Sequence, residues 1–125
     1  MKKISTDTAP AAIGPYSQAI DTGSIVFLSG QIPIDPGTGS LKGENIAEQA
    51  EQSCKNVGEI LKAAGLGFED VVKTTCFLSD MKDFAAFNEV YAGYFTGKPA
   101  RSCVEAKLPK GALCEIEAVA IRKQA

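Results

Sequence analysis

Apolar residues along this chain fall into two rhythms. Between Asn45 and Ala64, Ile46, Ala50, Cys54, Val57, Ile60, Leu61 and Ala64 recur at helical spacing, with Glu48, Glu51, Lys55, Glu59 and Lys62 on the other side. This pattern predicts an amphipathic helix. Asn45 followed three residues later by Glu48 fits a capping box, and Gly65 supplies the left-handed stop. Helical spacing returns in "DFAAFNEVYAGYF" through Phe84, Phe87, Val90, Tyr91 and Tyr94, and "GKP" ends it. Asn88 interrupts that stripe, four residues after Phe84 and three before Tyr91, as an amide either satisfied in the core or open to a pocket.

The other segments alternate or are β-branched. "SIVFLSGQIPID" reads as a strand that ends where Pro33 and "DPGTG" force a turn. "DVVKTTCFL", residues 70 to 78, reads as a second strand, and "PARSCVEA" and "LCEIEAVAIR" as two more joined through "KLPKGA". No element is assigned to the N-terminal segment or to "GPYSQAI". One sheet carrying two helices is the economical architecture for this order, in a single domain over residues 1–125. In the last strand Cys114, Ile116, Ala118 and Ala120 face one side, and Leu113, Glu115, Glu117, Val119 and Ile121 the other. Both faces carry apolar residues, but two helices cover only one. A second copy of the chain is the expected cover for the other.

Composition narrows the function classes. At 45% hydrophobic and 22% charged the chain is an ordinary globular protein, and its net charge of −2 offers no footprint for nucleic acid. Nothing approaches the ~20 apolar residues of a membrane span, and a cytoplasmic location is expected. Cys54, Cys76, Cys103 and Cys114 lie too far apart for a Cys-x-x-Cys redox pair or a zinc knuckle. Histidine is absent, so any catalysis runs on carboxylate, tyrosine, thiol or a positioned water.

Candidate chemistry begins in "PARSCVE", residues 99 to 105. A strand there puts Arg101, Cys103 and Glu105 on one face of what reads as a core strand. Arg101 then pairs either with a ligand's carboxylate or internally with Glu105, Glu115 or Glu117. Glu115 and Glu117 share a face about 6.6 Å apart, the spacing of an acid–base pair or of exposed strand glutamates. Cys103 lacks an activator and reads as packing. Ser29, Gly30 and Gln31 read as a strand end with a flexible glycine, and Tyr16 as a loop anchor.

"GPYSQA", "SGQIP", "PARSCVE" and "LPKGALCEIEA", in that order over nearly the whole chain, resemble the RidA family of reactive enamine and imine deaminases, also called the YjgF family. The segments "VEAKLPK" and "YFTGKPAR" are shorter than that family's common form. The resemblance implies an α+β, chorismate-mutase-like fold, with one mixed sheet, two helices on one face and the other face buried in a homotrimer with clefts between subunits. It implies hydrolysis of 2-aminoacrylate, 2-iminopropanoate or 2-iminobutanoate, released by PLP-dependent dehydratases, to 2-oxo acids and ammonia, without metal or cofactor. Arg101 then matches the binder of the substrate carboxylate and Glu115 the residue that orients the hydrolytic water. Tyr16, Asn88 and Cys103 match pocket residues, and Ser29, Gly30 and Gln31 the strand end that borders them. A non-catalytic trimer that binds small carboxylates or a protein through the same clefts is the alternative, and a ribonuclease role has no support in charge or catalytic groups.

Overall fold

The computed structural model describes residues 1–123. Six strands, β1 (Lys2–Ile4), β2 (Ala19–Asp21), β3 (Ile25–Gln31), β4 (Val71–Leu78), β5 (Ala100–Glu105) and β6 (Cys114–Ile121), form one sheet in the order β1-β2-β3-β6-β4-β5. Only β4 and β5 pair in parallel, so the sheet is mixed. Helix α1 (Ile46–Ala63) links β3 to β4 and α2 (Phe84–Tyr94) links β4 to β5. Because β3 and β4 are both antiparallel to β6, each helix is a crossover between parallel strands, with the last strand inserted between the first crossover's two ends.

That insertion carries β5 to the edge. β5 pairs with β4 alone, and Ser102 and Val104 are exposed, which corrects its reading as a core strand. β1 and β2, three residues each, lie at the other edge where no sequence pattern announced them.

The core lies between the sheet and the helices. Cys114, Ile116, Ala118 and Ala120 are buried against Ala50, Cys54, Val57, Ile60 and Leu61 of α1 and Phe87 of α2. Side chains such as Val57, Ile60 and Leu61, with no exposed surface, each contribute about 1.5–3 kcal/mol through burial. The opposite sheet face is open, with Phe27 48%, Val104 45% and Ile121 42% exposed.

Local signals explain the ends of α1. Asn45 Oδ1 accepts from Glu48 N at 2.9 Å, whereas Glu48 Oε1 accepts from Glu44 N at 2.9 Å. The carboxylate therefore reaches one residue beyond the expected capping-box partner. At the other end Gly65 takes φ +78°, and Leu66 N donates to Leu61 O at 2.9 Å.

Buried amides on α1 hold two loops in place. Asn56 Nδ2 donates to Ile32 O at 3.1 Å and Ile34 O at 2.9 Å, and Gln49 Oε1 accepts from Leu113 N at 2.9 Å. One loop continues from Gln31 and the other runs into Glu115. No helix among the described residues is long and apolar enough to cross a membrane.

Candidate active site

The first concentration of polar groups lies on the open side of the sheet. The pairing of β3 with β6 slips between Leu28 and Gln31, placing Gly30 beside Glu115. A Cβ on Gly30 would lie 2.0 Å from Glu115 Oε2 and 2.8 Å from Cδ, so the glycine leaves the room in which this carboxylate sits and does not answer to an unusual backbone angle. Ser29 Oγ donates to Ser17 O at 2.6 Å, tying this strand end to the segment that carries Tyr16, which is half-exposed. Gln31 is buried and donates through Nε2 to Ser29 O at 3.1 Å. Tyr16, Ser29, Gly30, Gln31, Lys110 and Glu115 thus line a cleft of about 460 Å³.

Glu115 is half-buried in that cleft. Burial, and after it the charge of Glu117, raises its pKa above the ordinary carboxylate value of 4.5. A carboxylate with raised basicity, open on one side to this cleft, is equipped to accept a proton.

A second concentration lies on the helix side. Phe84, Asn88 and Tyr91 occupy one stripe of α2, at positions i, i+4 and i+7, and all three touch the Arg101 guanidinium. Arg101 Nη1 donates to Asn88 Oδ1 at 2.7 Å, while its Cζ lies 4.9 Å from the Tyr91 ring centre and 5.5 Å from that of Phe84. The Tyr91 hydroxyl is hydrogen-bonded at 2.7 Å to the fully buried Thr74, the register neighbour of Arg101 on β4. Asn88, Tyr91, Phe95, Lys98, Pro99 and Arg101 line a cleft of about 360 Å³.

No carboxylate among the described residues lies within ion-pair distance of Arg101. Glu105 instead accepts from Met81 N at 2.9 Å, and Glu115 and Glu117 lie across the sheet, so the internal ion pair is absent. The guanidinium is held by an amide and two rings, and its charge remains available to an anion.

Cys103 shares the helix-side face with Arg101 but does not line the Arg101 cleft. Burial raises its thiol pKa, against a smaller lowering by Arg101, so the group stays protonated at neutral pH. This agrees with its reading as packing.

Arg101 and Glu115 do not meet within one chain. Arg101 is in register with Thr74, and Thr74 with the buried Ala118, so all three point toward the helices. Glu115 alternates out of phase with Ala118 and points to the opposite face. The expected residues divide into Tyr16, Ser29, Gly30, Gln31 and Glu115 on one side, and Asn88, Arg101 and Cys103 on the other.

Four contributors were missed. Phe84 and Tyr91 read as ordinary core, although the i, i+4, i+7 spacing of Phe84, Asn88 and Tyr91 signalled a shared stripe. Lys98 and Lys110 carried no signal at all. Among the described residues no group of three or more potential metal ligands is clustered.

Known proteins share this sequence pattern and this fold. A family model described as Endoribonuclease L-PSP matches residues 6–122. The 2-iminobutanoate/2-iminopropanoate deaminase of Salmonella typhimurium is 54% identical over 127 residues, covering 98% of each chain. The mouse protein of the same name is 52% identical, covering 97% of this chain and 91% of its own. Among solved structures, the YjgF gene product of E. coli superposes with a TM-score of 0.94 at 49% identity, over 98% of this chain and 100% of its own. E. coli TdcF with bound serine also gives 0.94, at 48% identity and the same coverage.

Proposed function

The chain belongs to the YjgF/RidA family, and from that premise we propose that it is a 2-iminobutanoate/2-iminopropanoate deaminase, hydrolysing reactive imino acids to 2-oxo acids and ammonia. One observation carries the reading. Among the described residues the chain presents an Arg101 guanidinium without a carboxylate partner in one cleft, and a Glu115 carboxylate of raised basicity in another.

Because the sheet separates the two, the site is composite, with the Arg101 cleft of one protomer closed by the Glu115 cleft of the next. The open sheet face, with Phe27, Val104 and Ile121 exposed, supports a homotrimer of the chorismate-mutase-like kind built from single-domain chains of residues 1–125. The same reading makes the enzyme cytoplasmic, with the imino acid as its small-molecule partner. It requires neither cofactor nor metal, and neither nucleic acid nor membrane as a partner.

In the reaction, Arg101 grips the substrate carboxylate bidentately, while Asn88 and the two rings keep the guanidinium plane from turning. Tyr16, Ser29, Gly30 and Gln31 form the opposing wall, and Cys103 packs beside Arg101. An enamine first tautomerises to the imine. The imine reacts as its iminium ion: Glu115 accepts a proton from water as the oxygen adds to the carbon and the C=N pair moves onto nitrogen, giving a neutral carbinolamine. Glu115 returns that proton to the nitrogen; as the C–N bond breaks, the hydroxyl oxygen forms the C=O bond and gives its proton to Glu115, and ammonia leaves and takes up that proton.

The test is to add the purified protein to a PLP-dependent threonine dehydratase and follow 2-oxobutanoate. Faster release is expected at catalytic amounts of protein. An unchanged rate alongside retained binding of small carboxylates would instead favour a non-catalytic binding module. The description Endoribonuclease L-PSP suggests cleavage of RNA, but a chain of net charge −2 without histidine offers little for that chemistry. For the assembly, light scattering at micromolar concentration should give three times the 13.1 kDa chain mass. A monomer mass would remove the composite site.

A further inference from the structure

Two residues other than glycine take positive φ among the described residues, and both are lysines: Lys98 at +53° and Lys110 at +59°. An L side chain in the left-handed region meets a steric cost that glycine avoids. Gly97, which precedes Lys98, does not have a positive φ, so an exchange of order there would remove the cost; Gly111, which follows Lys110, is itself left-handed at +72°, so two successive residues of that turn share the conformation. Gly97 has nothing within 4 Å of the position a Cβ would occupy, so neither packing nor a left-handed backbone demands glycine there. Strain kept at a surface turn calls for a role for the side chain.

The two lysines lie in corresponding places. Lys98 lines the Arg101 cleft and Lys110 lines the Glu115 cleft, and both are exposed. In the Glu115 cleft the other charged groups are Glu115 and Glu117, so Lys110 is the one cation among its lining residues. An imino acid carries a carboxylate, and two glutamates would repel it on approach. A cation on each wall offsets that repulsion and concentrates the anion at the mouth.

We propose that Lys98 and Lys110 form a cationic rim, one lysine from each half-cleft, that captures the anionic substrate and selects carboxylate-bearing imines. This rests on the reading of the two clefts as halves of one site. Arg101 then fixes the carboxylate that the rim has drawn in.

The test is the double variant K98G/K110G, because glycine removes the charge and relieves the backbone at once. The rate is the enzyme-dependent decay of 2-iminobutanoate generated in situ by a flavin amino-acid oxidase, measured across a KCl series. At about 20 mM KCl, kcat/KM should fall about tenfold, and at about 500 mM the variant and the parent should converge because salt screens the rim. The melting temperature should stay level or rise. A control that removes two exposed charges from α1, K55Q/K62Q, should follow the parent at every salt concentration.

If K98G/K110G follows the parent throughout the series, the lysines are turn residues only and the rim is refuted. Lower melting temperature or altered mass would assign them to folding or assembly, which also refutes it. Arg101→Ala run in parallel separates the two levels. If it is inactive while K98G/K110G behaves as the parent, the rim alone fails. If Arg101→Ala is fully active, the composite site fails and the rim falls with it.

Discussion

Arg101→Ala is expected to lower deaminase efficiency by at least about a hundredfold, because two charge-assisted hydrogen bonds of roughly 1.5–3 kcal/mol each are lost from the substrate carboxylate. Arg101→Lys should recover little. It keeps the charge but loses the planar fork, and with it the stacking over Tyr91 at 4.9 Å and the bond to Asn88 Oδ1. Folding should survive both changes, since the partners left behind are an amide that water can satisfy and two aromatic rings, not a stranded carboxylate. The measurements are kcat/KM, melting temperature and mass. If Arg101→Ala unfolds the protein or breaks the proposed trimer while activity per folded site persists, Arg101 is structural and the site assignment is wrong.

Glu115→Gln is expected to cost more, about 10²–10⁴-fold, as is usual when a general base is removed. The accompanying signature is in pH. In the parent, kcat/KM should rise as Glu115 ionises, with a midpoint displaced above 4.5 by burial and Glu117; in Glu115→Gln this limb should vanish. The stability effect has the opposite sign. A carboxyl whose pKa is raised by folding adds stability below its unfolded pKa, and that contribution is lost as pH rises through the folded value. Glu115→Gln, neutral throughout, should therefore be at least as heat-stable as the parent at pH 7. Gly30→Ala tests the same base without touching it. A methyl placed 2.0 Å from Oε2 must displace the carboxylate, and a shift of about 1 Å can cost up to about a hundredfold. A Gly30→Ala protein with parental kcat/KM would show that the position of Glu115 is not what the reaction depends on.

Much of this molecule is legible along the chain because the information is local. The apolar stripe from Ile46 to Ala64, its Asn45 cap and the Gly65 stop state a helix in neighbouring residues, and the structure places α1 at Ile46–Ala63. Alternation in "LCEIEAVAIR" foretold which residues of β6 share a face, and the structure buries the face of Cys114, Ile116, Ala118 and Ala120. The strands β1 and β2 escaped because three residues are too few to establish a period, and their stability comes from their partners. Gly30 read as flexible for a related reason. Its local sequence has no knowledge of Glu115, 85 positions away, whose carboxylate occupies the space a side chain would need.

By itself, then, the amino-acid order determined the two helices, the central strands and the division of the last strand into two faces, and the residue types available for chemistry. It also carried the four motifs that mark the family. Only the tertiary structure decided that β6 enters between β3 and β4, which sends β5 to the edge and turns Arg101 and Glu115 to opposite sides of one sheet. The reason is physical: side-chain direction within a strand follows from residue parity, but the relation between two strands depends on register and order. Those are set by long-range pairing and by burial against the helices. No spacing between position 101 and position 115 contains them.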